Sequence, residues 1–255
     1  MGTGAITQYI DTAQLVLYLF WIFFFWLVVW LVREGKREGY PLESDRRDYK
    51  NIRGFPDIPS PKTYKMADGT TWDAPHGRDQ QAPPLAMRRT GNFPGSPVEP
   101  TGNPMIDGVG PAAWTARADH ADHLLDGSPK IVPMRLAPEV SVARQDVDPR
   151  GLDIVGVDDV VGGKIVDLWI DQAERLFRYL EVELSGSGGR ILVPMPFARV
   201  SKRNVKIHAI LGSQFADAPK TKSPDKVTLL EEDKIAGYFG GGRLYATPQR
   251  QEPLA

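Results

Sequence analysis

From Thr12 to Val32 the chain carries no charged residue, and Leu15 to Val32 is almost entirely large and apolar. Twenty-one residues in a helix rise about 31 Å, the thickness of a bilayer's hydrocarbon layer. A cleaved signal peptide does not fit: there is no basic n-region, the apolar run is too long, and no small-x-small site precedes the charged flank. A core helix does not need an apolar surface all the way round. The stretch 12–32 is therefore expected to span a membrane. Arg33, Lys36 and Arg37 follow it at once, while Asp11 alone stands on the other side. Positive-inside placement makes residues 1–11 periplasmic and the bulk of the chain cytoplasmic. Trp30 and Tyr40 suit the cytoplasmic interface, and Tyr9 and Tyr18 the outer half. Leu15–Val32 contains no Gly, Ala, Ser or Thr, so close small-xxx-small pairing with another helix is not expected. With no charge inside it, the segment anchors and conducts nothing by itself.

The remainder is polar and evenly charged: 31 Lys+Arg against 32 Asp+Glu in 255 residues. Near-neutral charge without a basic stripe argues against nucleic acid as a partner. Cysteine is absent, which excludes disulfide frameworks, thiolate nucleophiles and Cys-based metal centres. Sixteen of the 22 prolines lie between Pro41 and Pro149. Pairs such as Phe55-Pro56, Ser60-Pro61 and Pro83-Pro84, and the run at 91–97, block long helices and central strands. Residues 33–133 therefore read as an extended, proline-rich segment, coil from Pro41 onward. Its scattered apolar residues (Phe55, Tyr64, Trp72, Phe93, Met105, Trp114) fit a wrapper lying along a partner.

After Pro133 the pattern changes to short strands. Gly163–Asp171 alternates Val166, Leu168 and Ile170 against Asp167, Trp169 and Asp171, and Arg178–Leu184 alternates Leu180, Val182 and Leu184 against Tyr179, Glu181 and Glu183. Each predicts one buried and one wet face. The turn Ser185–Gly189 leads into a return strand at Arg190–Pro194, and Phe197–Val200 and Val205–Ile210 form another pair around Ser201–Asn204. His208 falls on the wet side. Thr228-Leu-Leu-Glu231 has capping-box spacing for a final helix, and Gly240-Gly-Gly242 is expected to stop it. The fold class is thus a single N-terminal transmembrane helix, an extended connecting segment, and a mainly-β cytoplasmic domain (134–248) built as a small barrel with a short C-terminal helix, followed by a tail at 249–255.

No nucleophile elbow or comparable catalytic set is present, so an enzyme is not expected. Asp119-His120-Ala-Asp122-His123-Leu-Leu-Asp126 is the densest ionisable cluster. It offers either a solvated loop or a divalent-metal or proton site, since His and carboxylates titrate across neutral pH. A second set surrounds the turn between two strands: Asp167, Asp171, Glu174, Glu181 and Glu183. Glu174 and Arg178 stand beside apolar residues where a partner could bury them, and a carboxylate buried beside another is pushed towards neutral pH. Lys36, Arg37 and Tyr40 offer a grip for an anionic lipid headgroup.

Several stretches carry a resemblance: Phe20-Trp-Ile-Phe23, Arg37-Glu-Gly-Tyr-Pro-Leu-Glu43, Gly102–Ala112, Lys130-Ile-Val-Pro-Met134, Lys164–Trp169, Tyr179–Leu184 and Val227–Ile235. In order and spacing the chain resembles the H subunit of the purple-bacterial photosynthetic reaction centre, whose barrel is of the PRC type. The resemblance implies a pigment-free subunit of the bacterial inner (intracytoplasmic) membrane that caps the cytoplasmic face of the L and M subunits. Those neighbours hold bacteriochlorophyll, bacteriopheophytin, quinones and non-haem iron, and a light-harvesting 1 antenna is a further implied partner. It also implies a route supplying protons to the secondary quinone. Glu174 falls on the family's buried glutamate, with Asp171 and Arg178 beside it, Asp126 on an aspartate where protons are taken up, and Glu232 on an acidic position facing the core subunits. Surface histidines that follow Leu-Asp-Gly in some members are replaced here by Ser128-Pro129-Lys130; His120 and His123, beside Asp122, are the candidates to substitute for them. Barrels of this type also occur in ribosome-maturation factors, so a membrane-anchored PRC-barrel adaptor of RNA processing forms the alternative reading.

Overall fold

The computed structural model describes Gly4, Ile6 and residues 11–42, 53–76, 85–93, 95–186 and 188–251. Tyr9, Glu43, Pro83-Pro84, Pro94, Ser187 and the tail beyond 251 lie outside the described residues. The chain divides into two compact units, Met1–Pro83 with Asn92–Ser96, and Pro84–Gly91 with Pro97–Ala255.

The first unit begins with helix α1 (Thr12–Gly35), the one described helix long and apolar enough to cross a membrane. Asp11 caps it: its carboxylate accepts the Gln14 N–H at 2.7 Å, and Gln14 Oε1 accepts the Asp11 N–H at 3.4 Å. This reciprocal pair satisfies donors that would otherwise be orphaned. None of the helix's residues is buried by the rest of the chain, as a lipid-facing surface requires. Aromatic rings line it at helical spacing, with Trp26 and Trp30 stacked at 6.5 Å.

Just past α1 the basic residues turn inward. Lys36 is only 5 % exposed. Its ammonium donates to the carbonyls of Arg53 at 2.7 Å and Pro56 at 2.6 Å, and lies 5.3 Å from the Tyr40 ring centroid. Arg37 donates to Glu34, to Ser60 O at 2.9 Å and to Ala74 O at 3.0 Å. Two residues expected at lipid headgroups thus tie the following chain to the helix end, because buried ammonium and guanidinium groups need acceptors and the Pro-rich chain offers unpaired carbonyls. Arg37 holds a two-stranded antiparallel hairpin, β1 (Lys62–Lys65) and β2 (Thr71–Ala74), in register Lys62↔Ala74 to Lys65↔Thr71.

In the second unit a further hairpin, β3 (Met87–Arg89) with β4 (Val98–Pro100), leads to the one-turn helix α2 (Pro104–Asp107). Among the described residues the expected coil of 41–133 is therefore interrupted by two hairpins, each short enough to be closed by local turn chemistry, and its last three residues, Ile131–Pro133, form a further strand. From Met105 onward some of the segment's apolar residues are buried within the chain itself, Met105, Val109, Ala112 and Ala121 among them, whereas Ile106, Trp114 and Leu125 stay exposed.

The β domain is a seven-stranded curled sheet of β5 (Ile131–Pro133), β6 (Asp153–Val155), β7 (Val161–Asp171), β8 (Leu176–Leu184), β9 (Arg190–Pro194), β10 (Ala198–Val200) and β11 (Asn204–Ile207), in the order β10-β11-β6-β7-β8-β9. Strand β7 organises it: β8 takes one edge, while β6 and β5 share the other, at 161–164 and 169–171 respectively. The main core cluster includes Leu168, Leu180, Val182, Val193, Phe215 and Phe239. The expected wet faces are corrected. Asp167, Trp169 and Asp171 on β7, and Tyr179 and Glu181 on β8, are buried, leaving Glu183 exposed. A bulge between Trp169 and Ile170 moves Ile170 into a separate cluster with Val132 and Ala137, and the carboxylates on that side are matched by cations from distant segments. His208 is exposed, as expected.

The final helix, α3 (Leu229–Tyr245), starts where the capping box places it: Thr228 Oγ1 accepts the Glu231 N–H, and Glu231 Oε2 accepts the Thr228 N–H. A strap at 118–121 completes the cap, with Ala118 O and His120 O accepting the N–H groups of Leu230 and Leu229. Asp119 bonds Thr228 Oγ1 at 3.0 Å and pairs with Lys222. The triglycine does not stop this helix. It runs through Gly240-Gly-Gly242 because the glycine face lies directly on backbone: a Cβ at Gly237 would sit 2.7 Å from Ala112 O, and one at Gly242 2.7 Å from Ala209 O.

Candidate functional site

The ends of β5, β7 and β8 converge with the strap and the first turn of α3. Asp171 closes β7 and is fully buried. Its Oδ1 accepts the N–H groups of Ala173 at 2.9 Å and Glu174 at 3.0 Å, so its side chain builds the β7–β8 turn. Asp and Asn are favoured at such positions because they can bond the backbone two and three residues on. Arg175, at φ 56°, absorbs the reversal. The second oxygen, Oδ2, makes no hydrogen bond and lies 3.6 Å from both Lys130 Nζ and Arg178 Nε. Lys130, immediately before β5, also reaches Asp122 at 3.7 Å.

One residue along β8, the Tyr179 hydroxyl donates to Glu232 Oε2 at 2.9 Å. Burial lifts Glu232 above the usual carboxylate range, opposed by the Tyr179 hydrogen bond and the Arg178 and Arg117 charges. Burial and the neighbouring carboxylate push the Tyr179 phenol upward, so it stays a donor. Asp233 anchors the strap by accepting the Thr115 N–H at 2.6 Å, with Arg117 3.9 Å away. The result is a chain of carboxylates separated by cations and a phenol, running from a buried aspartate to a half-buried glutamate that holds its proton more readily than a free one.

Of the residues singled out in the sequence, Asp171, Arg178, Asp122 and Glu232 meet here. Glu174 sits on the same turn but is exposed in this chain. Asp126 stands apart at the tip of the 124–128 turn, where the Ser128 hydroxyl at 2.6 Å and N–H at 2.9 Å hold its carboxyl below the usual range. His120 and His123 stack with ring centroids 6.1 Å apart. Among the described residues no three His, Asp or Glu side chains converge to hold a metal ion, because the 119–123 cluster is spent on strap contacts: Asp119 is bonded to Lys222 and Thr228, which hold its carboxyl low. Lys130, Tyr179 and Arg117 were not singled out as site residues. Tyr179 falls in the alternating pattern of its strand and Lys130 in one of the matching stretches, but neither signal points to a site, since each acts across elements far apart in sequence.

A second network lies beneath the opposite half of β7. Arg135 donates to Asp167 Oδ2 at 3.0 Å, Glu181 Oε2 at 2.6 Å and Asp225 Oδ1 at 3.0 Å. Glu181 also accepts from the Trp169 indole at 3.0 Å and from Arg190 at 2.8 Å. Arg135, Arg150, Arg190 and Asp167 line a neighbouring cavity of about 320 Å³.

Two family models match this chain. One, described as photosynthetic reaction centre, H-chain N-terminal region, covers residues 4–136, slightly more than half of the 255 residues. The chain belongs to the reaction-centre H-chain family. The other, described as PRC-barrel domain, covers residues 141–214, the stretch that supplies β6 to β11. The strap and β5 thus come from the H-chain region and the turn bearing Asp171 and Glu174 from the PRC barrel, while Glu232 on α3 lies beyond both matched stretches. This H-family chain is a photosynthetic reaction-centre subunit, a membership that implies association with L and M subunits inside a cofactor-bearing complex. With α1 it has the make-up of a single-pass membrane protein.

Linkage gives Glu232 a pH signature. Its pKa is raised on folding, so between the unfolded value and the higher folded one the native state binds more protons than the unfolded state. Stability is therefore expected to fall as pH rises from about 4.5 through the folded pKa, and Glu232→Gln to remove that fall. Tyr179→Phe deletes a hydrogen bond that favours the carboxylate and shifts the titration further upward. Denaturant unfolding against pH in wild type and Glu232→Gln measures the first effect, and the infrared C=O stretch of the protonated carboxyl in wild type and Tyr179→Phe the second; identical titrations in wild type and Tyr179→Phe refute the coupling.

Proposed function

We propose that this chain caps the cytoplasmic face of the L and M subunits, stabilises the complex, and supports proton delivery to the secondary quinone during light-driven electron transfer. It performs no catalysis of its own; bacteriochlorophyll, bacteriopheophytin, quinones and non-haem iron sit in the neighbours. The N-terminus is periplasmic and the bulk cytoplasmic, with Arg33, Lys36 and Arg37 retained on the cytoplasmic side. A light-harvesting 1 antenna is a further partner in the intracytoplasmic membrane.

The observation that carries the proton role is the Asp122–Lys130–Asp171–Arg178 series of contacts continuing to the Glu232–Tyr179 pair. A half-buried carboxylate with a raised pKa, as Glu232 is, can hold a proton between transfers, and the neighbouring carboxylates line the approach to it. Asp126, His120 and His123 are exposed and suit proton uptake from water. Glu174, exposed in this chain and next to Asp171, is the group a covering subunit would bury and so make the last donor. Asp171 has a second duty as the anchor of the turn, which makes it the poorer test residue.

Glu174→Gln is expected to slow the second, proton-coupled electron transfer to the quinone by roughly 100-fold, the lower end of what a positioned proton donor supplies. The near-infrared pigment bands of the detergent-purified complex should stay unchanged, since the Glu174 side chain is exposed in this chain and its backbone N–H, which bonds Asp171, is kept. Flash-induced absorbance kinetics on the intact complex measure the rate. A wild-type rate with normal pigment bands removes Glu174 from the route.

A further inference from the structure

The first unit carries a surface that proton supply does not use. In the β1–β2 register, Lys62 and Tyr64 share one face with Trp72 and Ala74, while Thr63, Lys65, Thr71 and Asp73 share the other. Met66, which continues the first row, is 51 % exposed, and Tyr64 38 %. The second row is polar throughout: Thr63 Oγ1 donates to Asp73 at 2.5 Å. The hairpin is thus amphipathic, with a cation, a phenol, a thioether and a half-buried indole on one side. Two isolated strands gain too little from their own pairing to be stable alone. This pair is fixed to the foot of α1 by Arg37, through Ser60 O and Ala74 O, and Lys62 is near enough to Glu34 in the last turn of α1 to act on its charge. Lys62 Nζ also lies 5.5 Å from the Tyr64 ring centroid. A mixed cationic and aromatic surface at the end of an apolar 24-residue helix has the chemistry of a membrane-interface belt, where rings sit at headgroup depth and ammonium groups pair with phosphate.

We propose that the Lys62–Tyr64–Met66–Trp72 face of this hairpin lies in the lipid headgroup layer around α1, with Lys62 pairing an anionic headgroup. The inner residues Lys36 and Arg37 then serve as the frame, and the hairpin supplies the lipid contact. The inference rests on α1 spanning the bilayer, and its test separates the two.

The native chain has no cysteine, so single nitroxide labels at Phe23→Cys, Met66→Cys and Thr71→Cys can be read in the full chain reconstituted without other subunits. The vesicles contain phosphatidylglycerol and phosphatidylcholine, and collision with oxygen and with a water-soluble nickel chelate reports depth. Label 23 should be deep, label 66 at headgroup depth and shielded from the chelate, and label 71 open to water. Lys62→Gln, or vesicles of phosphatidylcholine alone, should weaken the shielding of label 66 about fivefold, the worth of one lysine at an anionic surface. High salt should reproduce that loss in the chain with Lys62 intact. Label 66 as open to the chelate as label 71, with label 23 deep, overturns the hairpin's placement and leaves the spanning helix standing. Shielding that ignores Lys62, salt and lipid charge overturns the headgroup pairing. A water-accessible label 23 removes the spanning helix and the hairpin's placement together.

Discussion

Gly242→Val is expected to lower the melting temperature of the chain by about 10 °C, corresponding to about 3 kcal/mol. The added Cβ would lie 2.7 Å from Ala209 O and 2.5 Å from Ile210 Cγ2. The first of these is backbone of the barrel, so no rotamer change can relieve it. Either α3 lifts off the sheet, opening the contact of Phe239 with Phe215, or the helix kinks. Gly237→Val, against Ala112 O and Ala113 O, should cost a similar amount by the same cause on the opposite neighbour. Gly240→Ala is the control: its Cβ meets only Pro111 O, at 3.3 Å, and helix propensity gains nearly 1 kcal/mol, so it should fall within about 1 kcal/mol of wild type. Thermal unfolding followed by near-ultraviolet dichroism separates these results. A Gly242→Val protein melting with the wild type would mean that the helix does not need its glycines for close approach.

Arg135→Met should be comparably damaging for an electrostatic reason. It strands Asp167 and Glu181, both nearly fully buried, with the Arg190 and Trp169 bonds remaining for Glu181 and only backbone for Asp167. Removing one partner of a buried ionic network costs about 3–5 kcal/mol, here set towards the lower end by the one-third exposure of Arg135. Adding Asp167→Leu and Glu181→Leu to Arg135→Met should recover most of the loss, since an apolar replacement of a whole buried network is near neutral. Denaturant unfolding of the single and triple variants decides it. A triple variant less stable than the single would show that the network stabilises beyond the mutual neutralisation of its charges.

What local pattern can reveal, this sequence revealed. An uncharged apolar run needs no tertiary partner to be read as α1, and the Thr228–Glu231 box announces α3 because both bonds close within three residues. Arg190–Pro194 coincides with β9 for the same reason. The failures share another cause. Asp167, Asp171 and Glu181 look like the wet side of strands under a period of two, yet each is buried against a cation that lies 32 to 46 positions away, Arg135 or Lys130. Gly240-Gly-Gly242 obeys the local rule for a helix end, but its neighbours are Ala112, Ala209 and Ile210, which no local rule contains. The site divides in the same way: Asp171, Arg178 and Glu232 were legible as residues of the right kind, whereas Lys130 and Tyr179, which join them, are visible only once β5, β8 and α3 are side by side.

The strap over the start of α3 also bears on how the chain is made. Asp119 and Thr228, bonded in the finished molecule, are 109 positions apart. At about 5–20 residues per second the strap leaves the ribosome roughly 5–20 s before the helix that it caps. In that interval β6 to β9 can pair as neighbours, while the carbonyls of Ala118 and His120 have no donor to accept from. The barrel is therefore closed by its last segment, and a nascent chain halted before Thr228 would present an open strap and a bare apolar hollow to quality control.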